Sequence, residues 1–251
     1  MTDAPPTSET DAGPRPALSA YLLGRVDFRE TLALQRRLVY DVSGDPTTAA
    51  LILCEHPPRV TIGREGSRSH VRLTAEQLTS RGWEIDWVAR GGGVTLFSPG
   101  QVVGYVVAAL PTLRQTPAGF VRQLTRVVAD VTASFGTTPT IDPDRPGVLV
   151  RGRRLAQVGV AVRHRVTSFG FVYNVQPDLA LWHDLLCDRD ARPMTSLQRE
   201  CRGTVRTAAV RERFLERLAA ALGSPRLSVF HHHPTLSPRT PRHAFTTPRP
   251  R

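Results

Sequence analysis

Three stretches of the chain place apolar residues every three or four positions, which is the period of an amphipathic helix. Residues 27–42 follow this spacing, and Asp27 supplies a suitable N-cap. Residues 118–135 follow it as far as Gly136, and the last stretch begins near Thr204 or Thr207 and stops before Gly223. Glycine commonly closes a helix because it adopts the left-handed conformation without steric cost. The pattern therefore predicts three long helices.

Other apolar runs are too short for long helices or alternate with polar residues, and they predict strands. They cover residues 49–54, 83–89 and 102–110, and two further runs flank the RGRR sequence at 151–154, which predicts a hairpin turn. A short helix is predicted over 179–186. Because strands occur in clusters with helices between them, we predict an α+β fold: a mixed β-sheet packed with helices, expected on one side.

The two ends of the chain differ from its middle in composition. Residues 1–17 are rich in Pro, Thr, Ser and Asp, and residues 225–251 are rich in Pro, Thr, Arg and His. Such segments bury too little apolar surface to fold, so both are expected to be disordered tails of one domain at 18–224. The three histidines at 231–233 lack spaced Cys or Asp partners, and no metal site is expected.

All of the basic charge, histidine aside, comes from arginine. The 251 residues include 33 Lys plus Arg against 22 Asp plus Glu, for a formal net charge of +11, and none of the 33 is a lysine. A basic surface attracts nucleic acid, but an all-arginine set also arises from genomic composition bias. Any mechanism that needs a lysine from this chain is excluded.

Membrane insertion, export and a disulfide framework are not indicated. No apolar run approaches the roughly 20 residues of a membrane span. The polar, Pro-rich N-terminus lacks the basic start and apolar stretch of a secretory signal, so a cytoplasmic protein is expected. Cys54, Cys187 and Cys201 form no CxxC pair, and each thiol is considered alone.

Four features are candidates for chemistry. RGGGVTLFSPGQ at 90–101 has glycines that let backbone N–H groups approach a ligand, although alone it also fits a plain turn. EHPPRVTIGR at 55–64 is by itself typical of a polar loop after a buried strand, and GRRLAQVG at 152–159 of a hairpin turn. Cys187 precedes a polar loop and could be a nucleophile, but a lone cysteine is more often a small buried hydrophobe.

The order of these features resembles the lipoyl (octanoyl) transferase family within the biotin and lipoate protein ligase superfamily. The resemblance extends from about Tyr21 to Gly223. It rests on EHPPxxTxGR, RGGxxTxxxPGQ, PGVxVxxRRLAxVG at 146–159, NVxxDL at 174–179, and a cysteine eight residues before the Thr195 of TSL. It implies the biotin/lipoate protein ligase-like catalytic domain fold.

The resemblance also implies a reaction. Such enzymes take an octanoyl group from acyl carrier protein onto a cysteine as a thioester, then pass it to a lysine of a lipoyl domain. The recipients are 2-oxoacid dehydrogenase complexes or the glycine cleavage H protein, and we expect a monomer without a cofactor or a membrane partner. By position, Cys187 is the nucleophile and Arg154 its partner. The residues implied to line the acyl pocket and to donate to the thioester oxygen are Arg90, Gly91, Gly92, Gly93, Val94, Thr95, Leu96, Phe97, Gln157, Val158, Gly159, Gly170, Phe171 and Val172.

The chain departs from the family at three positions of this site. Arg154 stands where the family has a lysine, and Phe97 and Phe169 stand where it has histidines. An arginine can stabilise a thiolate electrostatically, but it cannot accept a proton near neutral pH. The charge role of the family's lysine is therefore expected to survive, and its proton role is not.

Three hypotheses follow. The first is a divergent transferase in which Arg154 holds the thiolate while His164, His183 or water moves protons. The second is a degenerate member that binds an acyl chain or acyl carrier protein without efficient transfer. The third is a basic nucleic-acid-binding module, although no helix-turn-helix, RRM or zinc pattern is present. The retained Cys187 spacing and glycine-rich loop favour the first.

Overall fold

The structure is a computed structural model that describes residues 15–187, 192–201 and 203–236. Its helices are α1 (Phe28–Gly44), α2 (Ala75–Ser80), α3 (Pro117–Ala133), α4 (Leu197–Glu200) and α5 (Thr207–Leu222). Its strands are β1 (Ala17–Arg25), β2 (Thr48–Glu55), β3 (Arg59–Ile62), β4 (Ile85–Trp87), β5 (Val94–Phe97), β6 (Gln101–Ala108), β7 (Pro139–Ile141), β8 (Gly147–Val150), β9 (Arg153–Arg163), β10 (Val166–Asn174) and β11 (Leu227–Phe230).

The strands form two sheets. The large sheet has the order β11-β1-β2-β6-β10-β9-β8-β7, in which β11, β1 and β2 run parallel and the other neighbours are antiparallel. The small sheet has the order β4-β3-β5, with β3 parallel to β4 and antiparallel to β5. The prediction of a mixed sheet with helices is confirmed.

Helices cover both faces of the large sheet, so the prediction of helices on one side is wrong. On β2, Ala49, Leu51 and Leu53 pack in the cluster that contains the buried residues of α3 and α5. The alternate residues, Ala50, Ile52 and Cys54, pack in the cluster of α1. Successive side chains of a strand point to opposite faces, and a strand as apolar as β2 requires cover on both.

The helix signals in the sequence are confirmed where a cap supports them. The Asp27 carboxylate accepts a hydrogen bond from the Arg29 amide at 2.7 Å, at the start of α1. Gly223 closes α5 in the left-handed conformation, with φ of 63°. The helix predicted over 179–186 is shorter than expected: it is a 3-10 turn at Leu179–Trp182, with Asp178 as its N-cap.

The predicted hairpin at 151–154 is also confirmed. Arg151 and Gly152 both have positive φ, at 51° and 74°, which is the geometry of a tight turn between two antiparallel strands. The strand predicted over 83–89 is shorter, since β4 spans Ile85–Trp87. Within the described ranges, no helix is both long and apolar enough to cross a membrane.

The C-terminal segment differs from the prediction of disorder from residue 225. Leu227–Phe230 form β11, which pairs in parallel with β1 at the edge of the large sheet. Leu236 is buried in the cluster of α1. Residues 237–251, and residues 1–14 of the predicted N-terminal tail, lie outside the described residues.

Candidate active site between the two sheets

A narrow cavity, here called the inter-sheet cavity, lies between the large and the small sheet. It has a volume of about 20 Å³, which is about the space of one water molecule. Eight residues of the predicted acyl pocket line it, and four others complete it. The eight are Arg90, Thr95, Phe97, Gln157, Gly159, Gly170, Phe171 and Val172, and the four are Val103, Gly104, Tyr105 and Phe169.

The other predicted pocket residues do not line this cavity. Thr95 and Phe97 of β5 face it, so the alternate residues Val94 and Leu96 face a different apolar cluster, which includes Cys187. Val158 likewise packs towards α3 and α5, on the far face of β9. Gly91, Gly92 and Gly93 lie in the loop before β5 and are absent from the lining. A role for these six residues in binding the acyl group therefore stays a prediction.

Glycines let this loop approach the large sheet closely. A Cβ atom on Gly159 would lie 2.6 Å from the Gly91 carbonyl oxygen, and the Gly91 amide donates to the Val160 carbonyl at 3.0 Å. A Cβ atom on Gly63 would lie 2.4 Å from the Gly92 carbonyl oxygen. These contacts exclude any larger residue unless the backbone moves, and they fix the loop that presents Arg90.

Arg90 is a buried cation held by oxygen atoms. Its guanidinium donates to the Thr61 hydroxyl at 2.9 Å and to the carbonyls of Gly91 and Gly93 at 3.0 and 3.1 Å. Burial lowers the pKa of Arg90 to about 10, and the nearby Cys187 is the largest opposing influence. Arg90 therefore stays charged at neutral pH, within electrostatic range of the Cys187 sulfur.

Cys187 lies at the edge of a second cavity, of about 460 Å³, here called the Cys187 cavity. The residue is 6% exposed, and its carbonyl oxygen lies against Gly93, where a Cβ atom would approach it to 3.2 Å. Among the described residues, the cavity is lined by Arg72, Leu179, Ala180, Trp182, His183, Leu185, Leu186, Arg192, Pro193, Met194 and Arg199. These include three arginines and no carboxylate.

A smaller space of about 10 Å³, here called the connecting space, lies between these two cavities. It shares Gln157 and Val172 with the inter-sheet cavity, and Trp182 and Met194 with the Cys187 cavity. Arg154 lines this connecting space. The three spaces therefore adjoin one another in a row, and Arg154, the predicted partner of the cysteine, lines the middle one.

Arg154 itself is buried and forms an ion pair with Asp142. Its backbone is fixed by the segment that follows Cys187: the Arg154 amide donates to the Pro193 carbonyl at 2.9 Å, and the Thr195 amide donates to the Arg154 carbonyl at 2.9 Å. The carboxylate compensates the charge of Arg154 directly. Asp142 was not among the residues singled out from the sequence.

His56, in the EHPP segment, is completely buried, contrary to the simple expectation of a polar loop. Burial lowers the pKa of His56 to about 4, so the ring is neutral. Its Nδ1 donates to the Val26 carbonyl at 2.7 Å, which leaves Nε2 to accept from the Tyr105 hydroxyl at 2.7 Å. The ring also packs edge-on against Phe97, with centroids 5.0 Å apart. His56 thus supports two residues that line the inter-sheet cavity.

The two histidines named as proton carriers lie in different places. His183 lines the Cys187 cavity, whereas His164 is in the turn between β9 and β10 and lines a separate groove. His183 can therefore act on the Cys187 chemistry. His164 is separated from it by the inter-sheet cavity, and that part of the hypothesis is not supported.

Comparisons with known proteins identify the chain's relatives. Residues 27–219 match the family model described as the lipoyl protein ligase A/B catalytic domain. The chain is 37% identical over 176 residues to an octanoyltransferase of Geobacter metallireducens, which covers 70% of this chain and 79% of that protein. It is 33% identical over 221 residues to an octanoyltransferase of Myxococcus xanthus, across 84% of this chain and 61% of the longer protein.

A solved structure agrees at the level of the fold. Lipoate-protein ligase A bound with ATP superimposes with a TM-score of 0.70 at 14% identity, covering 88% of this chain and 90% of that one. The family model matches most of the chain, and both octanoyltransferases are more than 30% identical to it over at least 70% of its length. The chain therefore belongs to the lipoyl protein ligase A/B catalytic domain family, and to the octanoyltransferases within it.

Proposed function

We propose that this octanoyltransferase accepts an octanoyl group from acyl carrier protein as a thioester on Cys187 and passes it to a lysine of a lipoyl domain. The observation that supports this most is the row of adjoining spaces: a cavity with Cys187 in its lining, a connecting space lined by Arg154, and a narrow cavity between the sheets. The two inner spaces measure only about 20 and 10 Å³, so their walls must separate for an apolar chain to extend inward from the thiol.

In the first half-reaction, the Cys187 thiolate attacks the carbonyl carbon of the incoming thioester. A C–S bond to Cys187 forms, the bond to the carrier's thiol breaks, and that sulfur leaves as a thiolate that takes up a proton. A buried cation favours the thiolate form of a nearby cysteine. Arg90, which is coupled electrostatically to Cys187, supplies that charge, whereas the charge of Arg154 is compensated by Asp142.

The tetrahedral intermediate needs a hydrogen-bond donor for its oxygen. The Gly91 and Gly92 amides are occupied, since they donate to the Val160 carbonyl and to the Glu65 carboxylate. The Gly93 amide donates to none of the described residues, and Gly93 lies against Cys187. We assign the Gly93 N–H as the donor to the thioester oxygen, in place of the broader set implied by resemblance.

In the second half-reaction, the amine of the recipient lysine attacks the acyl carbon. An amide bond forms, the C–S bond breaks, and one proton must leave the amine while the Cys187 sulfur regains one. Arg154 cannot accept that proton near neutral pH. His183 lines the same cavity and is the group that can relay the proton.

Charge at the Cys187 cavity favours acidic partners. Arg72, Arg192 and Arg199 line it, and none of the described lining residues is acidic. Electrostatic complementarity of this kind accelerates and orients the approach of an acidic carrier protein or lipoyl domain. It also gives the +11 net charge a role that does not require nucleic acid. The similarity to octanoyltransferases favours this transfer over a member that only binds.

Intact-protein mass spectrometry after incubation with octanoyl acyl carrier protein tests the proposal. We expect a hydroxylamine-labile gain of one octanoyl mass on the native chain and on Cys201→Ala, a control thiol outside the three spaces. Cys187→Ala should gain no mass. An adduct that persists in Cys187→Ala, or a folded native chain that binds the carrier but gains no mass, would contradict the thioester route.

A further inference from the structure

One side chain, Phe169, separates the inter-sheet cavity from a larger groove on the outside of the molecule. The groove, here called the outer groove, has a volume of about 750 Å³ and lies between α1, the end of β4 and the β9–β10 hairpin. Of the residues that the structure describes, Phe169 alone lines both spaces. It is 9% exposed, and its ring centroid lies 6.3 Å from that of Tyr105.

Phe169 stands at the end of the inter-sheet cavity opposite the thiol. The connecting space meets this cavity at Gln157 and Val172, which pair with each other across β9 and β10. Phe169 pairs with Val160, three residues further along both strands. Three strand residues span about 10 Å. An alkyl chain that passes Gln157 and Val172 into this cavity would therefore meet the Phe169 ring at its far end.

The backbone of Phe169 is held in an unusual conformation. Its φ is +60°, a left-handed value that is rare for a bulky side chain. Its amide does not pair across the sheet but donates to the Gln35 side chain on α1 at 2.6 Å. A strained conformation persists only where the surrounding structure enforces it. The contacts around Phe169 therefore hold its ring in place at the end of the inter-sheet cavity.

The outer groove is suited to an alkyl chain. Its described lining includes Leu32, Val39, Val88, Ala161 and Val162, with Trp87 exposed at its edge. Arg36, Arg64 and Arg163 line it as well, and none of its described lining residues is a carboxylate. The groove thus offers apolar surface directly beyond the Phe169 ring that closes the inter-sheet cavity.

We propose that Phe169 sets the upper length of the acyl chain, by closing the inter-sheet cavity against an outer groove that would otherwise bind the distal methylenes of longer chains. This inference rests on the proposed function, because the acyl group must be attached at Cys187. It concerns the length of the chain, however, and not the chemistry of its transfer.

The test is a competition between octanoyl and tetradecanoyl acyl carrier protein for the native chain and Phe169→Gly, read as the ratio of the two thioester adducts. Glycine removes the wall and suits the positive φ, so the variant is expected to fold. Each buried methylene is worth about fourfold in affinity. We therefore expect the tetradecanoyl-to-octanoyl ratio to rise at least about tenfold in Phe169→Gly, which corresponds to fewer than two methylenes buried in the groove.

Two further variants make the test specific. Phe97→Ala enlarges the inter-sheet cavity without opening it to the outer groove, because Phe97 does not line the groove. It should change octanoyl binding but leave the ratio within about threefold of the native value. Adding Ala161→Leu to Phe169→Gly fills the groove beside the missing ring and should restore the native ratio.

A separate readout distinguishes this inference from the proposed function. Binding of octanoic and tetradecanoic acid to Cys187→Ala, with and without Phe169→Gly, measures chain length without thioester chemistry. An unchanged binding ratio in Phe169→Gly would overturn the inference even if thioesters form. An equal shift with Phe97→Ala would overturn it too, since chain length would then depend on cavity width. Absence of any adduct on the native chain, with the binding ratio shifted as expected, would contradict only the Cys187 route.

Discussion

The Arg154 guanidinium and the Asp142 carboxylate form an ion pair in which both side chains are almost fully buried, at 1% and 0% exposure. Asp142 follows β7, and its amide donates to the Gly147 carbonyl at 3.1 Å, which fixes it opposite β9. A buried charge without its partner costs far more than the pair contributes. Arg154 is therefore needed for folding whatever part it takes in catalysis.

Substitution of Arg154 should separate these two roles. Arg154→Met leaves Asp142 buried without its partner and should lower the free energy of unfolding by about 3 to 5 kcal/mol. Arg154→Lys keeps a cation for Asp142 and supplies a titratable amine, so it should lose less stability and form the Cys187 thioester. Urea denaturation and adduct mass measure the two effects. Equal stability losses in both variants would show that the charge of Arg154 is not what Asp142 requires.

His56 should make the protein less stable at mildly acidic pH. Its pKa is about 4 in the folded protein, below the ordinary value of 6.5, so the unfolded chain binds more protons as the pH falls below 6.5. The stability present above pH 6.5 is lost progressively towards pH 4. Between pH 7.5 and 4.5, the expected loss from this residue is about 2 to 3 kcal/mol.

Urea denaturation of the native chain and of His56→Gln at pH 7.5 and 4.5 measures this loss of stability. Other groups titrate in both proteins, so the difference between their pH dependences isolates the histidine. The variant should start less stable at pH 7.5 and lose less on acidification. Parallel losses in the two proteins would mean that His56 titrates in the folded state at its ordinary pKa.

Gly159→Ala should disrupt the site without removing any reactive group. Its Cβ would lie 2.6 Å from the Gly91 carbonyl oxygen, so the loop that presents Arg90 must shift. Misplacement on this scale can lower the rate of thioester formation by about tenfold to a hundredfold. Gly24→Ala is the matched control, because nothing lies within 4 Å of its added Cβ and its φ is not positive. A rate in Gly159→Ala equal to that of the control would show that the loop tolerates displacement.

Caps, glycines and apolar periods in the sequence were sufficient to predict the helices and turns that contain them. The α1 helix follows from the Asp27 cap and an apolar period, and the β8–β9 turn from Gly152, which takes positive φ. Strand β11 could not be predicted this way. Its four residues, LSVF, are a short apolar run beside a Pro-, His- and Arg-rich segment, and they form a strand because the edge of β1 is available for pairing.

The candidate site, like the fold, could be predicted from the sequence only in part. Motif resemblance identified Cys187 and the loop of Arg90, but it could not tell which residues of each segment face the cavity, since that depends on strand alternation in the folded sheet. Long-range partners were also beyond a single sequence. Glu55 accepts from the Arg211 side chain, 156 residues away, and from the Gly100 amide, and no local spacing predicts either contact.

Charge reversal at the Cys187 cavity should weaken the carrier protein's binding and leave the chemistry intact. Arg72 and Arg199 line the cavity and are exposed, so Arg72→Glu and Arg199→Glu should raise the KM for octanoyl acyl carrier protein by about tenfold each at low salt, with kcat little changed. The effect should shrink as salt screens the charges. Arg217→Glu, exposed on α5 away from this cavity, makes the same change in net charge and should alter KM little. Equal effects of all three variants would show that the carrier responds to the net charge of the protein and docks elsewhere.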